Sequence, residues 1–217
     1  MEENAIIRLQ DVSVSFDRRV VLRDIDFTID KGDFVAITGP NGGGKTTLLR
    51  VILKLLKPSS GKVVYFNEGK PAKRLHIGYL PQKNMIDVRF PITVGETVRS
   101  GMLHGFFGRH HNDRNFKDTV ETTGLTDLLD RPIGDLSGGQ LQRTLLARAI
   151  VSNPDVIVLD EPLSYVDKQF EHQIYRILED LRQTKTVIIV SHDMTVISGM
   201  ANRNLTVDEK SVLNSCF

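Results

Sequence analysis

The chain's 217 residues suffice for one substantial domain with a buried core and leave room for a small subdomain. Basic and acidic side chains number 28 and 27, a formal net charge of +1 that gives no electrostatic footing to a dedicated nucleic-acid binder. A single cysteine, Cys216, excludes an internal disulfide and suits a reducing cytoplasm; no signal peptide follows the acidic Met1-Glu-Glu-Asn4, and no run of about eighteen apolar residues predicts a membrane span.

Residues 5–10, 12–16 and 20–29 alternate and turn often, which predicts antiparallel strands, with a turn at residues 30–33. Residues 33–38 are a short apolar run that predicts a buried strand, and residues 47–56 predict a helix with an apolar face. Between them stands Gly39-Pro-Asn-Gly-Gly-Gly-Lys45-Thr46, which fits G-x-x-x-x-G-K-[ST] without a substitution and in the strand–loop–helix setting that the motif needs. Consecutive glycines let the backbone turn sharply and aim its N–H groups inward, and the helix N-terminus behind them adds partial positive charge. Such a loop implies a site for a nucleoside triphosphate, with Lys45 reaching the β- and γ-phosphates and the Thr46 hydroxyl completing a Mg²⁺ shell.

Residues 58–61 mark another turn, and residues 62–66 and 76–80 predict strands. From 84 to 132 the character changes to helical spacing, over 93–103 and 118–129, with a polar, turn-rich connector at 105–114. This predicts a helical subdomain, 84–132, inserted into an α/β core made of residues 1–83 and 133–217. After residue 137 the pattern is helix, strand (156–159), helix (168–181), strand (186–190), helix (194–200) and a short tail. The β-branched runs at 156–159 and 187–190 end in polar or charged residues and suit strands covered on both faces, hence a parallel sheet in an α/β fold.

Two further motifs carry chemistry. Leu136-Ser-Gly-Gly-Gln140 precedes a helical run; alone it could be a capped helix start, yet the Ser137 hydroxyl and the glycine N–H groups would also form a second anion cradle. One γ-phosphate does not need two cradles in one chain, whereas two chains facing head to tail would each close the other's site. Val156-Ile-Val-Leu-Asp160-Glu161-Pro162 ends a buried strand in two carboxylates, at the sheet edge where α/β ligands sit. Asp160 suits Mg²⁺, directly or through water, and Glu161 suits the polarisation of an attacking water.

With these motifs in this order, the chain resembles the nucleotide-binding subunits of ABC transporters over nearly its whole length. The resemblance implies an α/β P-loop NTPase core of the ABC type, with an N-terminal antiparallel β subdomain and the inserted helical subdomain. It implies ATP hydrolysis with Mg²⁺, bound by Gly39, Pro40, Asn41, Gly42, Gly43, Gly44, Lys45, Thr46 and Thr47 and by Ser137, Gly138, Gly139 and Gln140 of the second copy in a homodimer. Gln82, in Gly78-Tyr-Leu-Pro-Gln82, matches the family's Q-loop glutamine, which senses Mg²⁺ and the attacking water. His192 matches the switch histidine, and Phe16 the aromatic residue that stacks on adenine, a phenylalanine where tyrosine is more usual. After the catalytic pair the family typically reads Ser-Ala-Leu-Asp; here Ser164-Tyr-Val-Asp167 keeps the Ser and Asp that meet the partner and enlarges the residues between them.

The resemblance also implies integral-membrane permease subunits as partners, a place on the cytoplasmic face of the membrane, and indirect service to an extracytoplasmic substrate-binding protein. Residues 83–94, the phosphate loop and residues 98–105 look like the zinc- and manganese-uptake branch, to which iron–siderophore and cobalamin importers are related in the same segments. His104, His110 and His111 suggest a metal site, but His110-His111 lies in a polar connector without further Cys or His at ligand spacing, so that pair is expected to face solvent and the transported metal to be held elsewhere. Two other readings share the ATPase motifs: a soluble ATPase of nucleic-acid or ribosome metabolism, and an ATPase of a cell-division or lipid-extraction complex. The first usually carries a coiled-coil or zinc insertion or a second cassette, which this chain lacks; the second would differ mainly over 84–132.

Overall fold

The computed structural model describes residues 4–17, 19–82, 87–102, 109–164, 166–191, 194–208 and 211–216. In chain order come strands β1 (Ala5–Phe16), β2 (Arg19–Asp30) and β3 (Phe34–Thr38), helix α1 (Lys45–Ile52), and strands β4 (Ser60–Asn67), β5 (Lys70–Ala72) and β6 (Ile77–Leu80). Helices α2 (Val94–Ser100), α3 (Arg109–Thr122) and α4 (Gly138–Ile150) follow. The chain closes with β7 (Val156–Asp160), α5 (Lys168–Arg182), β8 (Thr186–Val190), α6 (Met194–Met200), β9 (Arg203–Asp208) and β10 (Ser211–Cys216). These elements group into two compact units, Met1–Leu75 with Leu181–Phe217, and His76–Asp180.

In the first unit an antiparallel sheet has the order β2-β1-β4-β5. Leu9 and Val12 of β1 are three apart, so a regular strand would put them on opposite faces. A register shift between them, with Asp11 at φ 49°, adds a residue to the strand, and both side chains stay buried. In β2, Asp24 at φ 47° does the same between Leu22 and Ile25. The Asp11 N–H donates to Asp26 Oδ1 (3.0 Å) and the Asp24 N–H to Ser13 Oγ (2.9 Å), so both bulged amides are satisfied. The runs expected at 5–10 and 12–16 are therefore one bent strand.

The unit's other strands have the order β10-β9-β3-β8, with β3 parallel to β8 and β9, and β10 antiparallel to β9. The expected short tail is thus two strands. Leu205 and Val207 of β9 are buried, and an Arg203–Asp33 ion pair of 2.9 Å, with both side chains largely buried, pins the start of β9 to the start of β3. Helix α1 starts earlier than expected, at Lys45, and stops earlier, because Lys54 at φ 55° leaves the helical region.

In the second unit β6 and β7 pair in parallel, Leu80 opposite Leu159, and every residue of β7 is buried. Helix α3 begins inside the expected connector and ends before the expected stop. Its end is a Schellman motif: Gly124 at φ 64° donates to the Glu121 carbonyl (3.0 Å), Leu125 donates to that of Val120 (2.9 Å), and Leu125 turns into the core. That core joins Val94, Val98, Phe116, Val120 and Leu125 to Ala147 and Val151 of α4 or its end. Helix α5 buries Phe170, Ile174, Ile177 and Leu178, spaced for a single face, each contributing roughly 1.5–3 kcal/mol by its burial. Among the described residues no helix is long and apolar enough to cross a membrane.

Helix α2 opens with a capping box: Thr93 Oγ1 accepts from the Glu96 N–H (3.2 Å), and Glu96 Oε2 accepts from the Thr93 N–H (2.9 Å). The backbone and hydroxyl of Thr93 hold the Glu96 carboxyl below its ordinary pKa. A depressed carboxylate pKa contributes stability above the unfolded value and loses it as pH falls. Thr93→Ala is expected to cost about 1 kcal/mol in urea unfolding at pH 7, with the difference from wild type narrowing below about pH 4.

Candidate active site

In the first unit, β3 delivers the chain into the loop 39–44 with every residue from Phe34 to Ile37 buried. The Gly43 N–H closes a tight turn on the Pro40 carbonyl (3.1 Å). Gly39 stands at φ 132°, and a Cβ there would lie 2.1 Å from the Val207 carbonyl oxygen, so the loop runs against the backbone of β9. Lys45 is 6% exposed and curls back over its own loop, Nζ donating to the Gly39 and Pro40 carbonyls at 2.8 Å each. Helix α1 has Gly44 at its N-cap, no side-chain cap and no acid in its first turn. Its hydrogen-bond ladder starts with the Leu48 N–H on the Gly44 carbonyl, so the amides of Lys45, Thr46 and Thr47 have no carbonyl within the helix. A buried cation beside uncapped amides fits a polyphosphate.

Phe16 ends β1 with its ring 48% exposed. The register sets it opposite Arg19, two residues before Val21, whose side chain lies 3.3 Å from where Gly44 would carry a Cβ. The strand pair thus brings Phe16 towards the flank of the loop. Ser191 is buried at the end of β8; His192 lies outside the described residues.

In the second unit the parallel register of β6 and β7 places Gln82 and Glu161, each two residues past the Leu80–Leu159 pair, at one sheet edge. Gln82 Nε2 and Ser164 Oγ each donate to Glu161 Oε2 at 3.2 Å. Glu161 adopts φ 53°, which a residue with a side chain holds only where its surroundings fix it. Asp160, just before it, is 1% exposed. Two residues that the motifs do not include complete this loop. Gln142 Nε2 donates to the carbonyls of Glu161 (3.3 Å) and Pro162 (3.0 Å). Arg143 pairs with Asp167 (3.6 Å) and stacks over Phe170 at 4.1 Å. A glutamine and an arginine set among the apolar residues of α4 were the available signal.

The second anion cradle is also a capping box: Ser137 Oγ accepts from the Gln140 N–H (3.2 Å), and Gln140 Oε1 from the Ser137 N–H (3.0 Å). The box leaves the Ser137 O–H and the amides of Gly138 and Gly139 out of its reciprocal bonds. Asp167 Oδ1 accepts from the Phe170 N–H (2.8 Å), capping α5. Tyr165 and His104 lie outside the described residues, as do the side chains of His110 and His111. Among the described residues, no group of three or more His, Cys, Asp or Glu could hold a metal ion by itself.

Residues 22–164 match the family described as ABC transporter. Among curated proteins, a zinc uptake system ATP-binding protein, ZurA of Listeria innocua, is 36% identical over 97% of this chain and 86% of its own length. A zinc import ATP-binding protein, ZnuC of Pseudomonas aeruginosa, is 40% identical over 93% of this chain and 71% of its own. Among solved structures, a dimeric bacterial ABC transporter cassette superposes with a TM-score of 0.85 at 25% identity, over 97% of this chain and 98% of that one.

The loop geometry makes Gly39 and Gly42 unequal. At Gly42, φ is 75° and nothing lies within 4 Å of an added Cβ, so alanine there costs only the left-handed backbone, about 1–2 kcal/mol. Gly39→Ala must also displace the Val207 carbonyl and is expected to lose clearly more stability in urea unfolding. Equal losses would detach the loop from β9.

Proposed function

This chain belongs to the ABC transporter family as an ATP-binding, ATP-hydrolysing subunit, and from that premise we propose that it powers a membrane permease importing a divalent metal ion, zinc before manganese. The relatives' names, as zinc uptake and zinc import ATP-binding proteins, support zinc. So does the segment Arg89-Phe-Pro-Ile-Thr-Val94, read in the sequence as typical of that branch.

The observation that carries the hydrolytic role is the Glu161 carboxylate, held by Gln82 and Ser164 on a left-handed turn at the end of a buried strand. Glu161 takes a proton from the water that attacks the γ-phosphate. Lys45 and the uncapped amides of α1 receive the β- and γ-phosphate oxygens, and Phe16 stacks on adenine. Thr46, Asp160 and Gln82 would hold Mg²⁺, which when bound neutralises charge on the β- and γ-phosphates. The resemblance gives His192, outside the described residues, the contact with the γ-phosphate. Two copies close around two nucleotides, with the Ser137 hydroxyl and the Gly138 and Gly139 amides of one facing the γ-phosphate held by the other, and Asp167 meeting the partner. Cleavage removes that shared anion and releases the pair.

The helical stretch 84–132, next to Gln82, carries the movement to the permease, and the subunit sits peripherally on the cytoplasmic face of the membrane. The metal itself passes through the permease, which an extracytoplasmic binding protein supplies.

Glu161→Gln is expected to lower hydrolysis about 1,000-fold and to trap an ATP-bound dimer. Purified from solubilised membranes with Mg-ATP, that form should bring down a polytopic permease, and cells lacking the subunit should lose zinc uptake. Turnover near wild type would remove Glu161 from this role, and recovery of only soluble nucleic-acid or ribosomal partners would overturn the transport reading. Lys45→Ala is expected to abolish productive ATP binding in a titration with labelled nucleotide; unchanged affinity would count against the phosphate loop.

A further inference from the structure

We propose that Gln142, in α4, is a positioning residue for Glu161: it holds the turn that aims the carboxylate and ties that turn to the helix that Ser137 caps. The inference rests on Glu161 being the base in ATP hydrolysis. Gln142 is 1% exposed, and its Nε2 reaches two successive carbonyls, those of Glu161 (3.3 Å) and Pro162 (3.0 Å). Both neighbours are acceptors, so only the amide NH₂ can face them, which settles the orientation of the side chain.

Packing does not explain a glutamine here. Leu141, Leu145 and Leu146 around it are buried, and Gln142 Oε1 is buried with no hydrogen-bond partner among the described residues. A leucine or methionine would fill the space without burying an unpartnered Oε1, but would leave the carbonyls of Glu161 and Pro162 without their donor. What the glutamine supplies is a grip on the residue at φ 53°, whose backbone sets the direction of the acid. The next residue of α4, Arg143, holds the far end of the same loop through Asp167 at 3.6 Å. Ser137 lies five residues upstream on this helix, about 7.5 Å along its axis. A phosphate that shifts the start of α4 therefore shifts the backbone of Glu161 in the same chain.

The test is steady-state and single-turnover ATP hydrolysis by the full chain. Gln142→Met removes both donors at similar volume and is expected to lower kcat about a hundredfold while leaving KM for ATP nearly unchanged and lowering the melting temperature by only a few degrees. In the Glu161→Gln background the same change should cost no more than about twofold, because the group it positions is already gone. An unchanged kcat in Gln142→Met, or the full loss repeated in that background, overturns the proposal. Wild-type turnover in Glu161→Gln alone would instead sink the role of Glu161. Should Gln142→Met not fold, Gln142→Glu gives a separate readout. A carboxyl buried against two carbonyls stays neutral and donates one hydrogen bond, so turnover should be partly kept at low pH and fall as pH rises through a raised pKa. A pH profile parallel to wild type overturns the proposal.

Discussion

The first turn of an α-helix presents amides that no carbonyl of that helix can reach, and the loop 39–47 is built around leaving them so. Helices α2 and α4 close their first turns with Thr93–Glu96 and Ser137–Gln140, and the carboxylate of Asp167 serves α5. At α1 the corresponding place is taken by Gly44, and the buried Lys45 adds a full positive charge to the partial charge of the helix end. Burying the ammonium of Lys45 beside the partial positive charge of a helix end is costly unless an anion arrives. The surrounding fold keeps that ammonium there: β3 is too buried to shift, and the backbone of β9 stands where any side chain at Gly39 would have to go.

The start of α4 is a different kind of site, and the difference suits its proposed partner. Its capping box satisfies the Ser137 and Gln140 amides within the single chain, so the start of α4 depends less on an anion than that of α1. Ser137 still has an O–H to give, because a hydroxyl that accepts one hydrogen bond can donate another. A helix end that needs an anion and one that only tolerates it can be held by different copies of the same chain. On the proposed reading the nucleotide binds first to α1 of its own subunit and only then recruits α4 of the other.

Much of this was legible because the chemistry demands fixed spacing. The run from Gly39 to Thr46, the pentapeptide from Leu136 and the Asp160–Glu161 pair each had to fall beside a buried strand or a helix start, and each does. What stayed hidden depends on geometry that leaves little mark in the pattern. Asp11 and Asp24 broke the alternation of β1 and β2, and a broken alternation reads as two strands until the bulge is seen to restore the buried face. Residues 203–208 offer only Leu205 and Val207 as apolar signal, and β9 exists because β3 presents a partner edge to it. Thr-Thr-Gly-Leu at 122–125 did carry a helix stop, but the apolar spacing beyond it outweighed the glycine. The contribution of Gln142 depends on where the carbonyls of Glu161 and Pro162 point, which no local pattern near residue 142 encodes.

Adjacent carboxylates pose a geometric problem that the turn at Glu161 resolves. Successive side chains of a strand point to opposite faces, so Asp160 and Glu161 in a continuing strand could not serve the same edge. The strand stops at Asp160, which stays buried, and the left-handed backbone of Glu161 redirects its side chain to Gln82 and Ser164. Local rules of backbone preference and polar burial are both broken here, at Glu161 and at Gln142, within a few residues of the proposed chemistry. Asp11, Asp24 and Lys54 break the backbone rule at bulges and a helix end; at Glu161 the same conformation falls on the acid, where function requires it. The strain at Glu161 and the buried amide that restrains it are therefore parts of one device for aiming an acid.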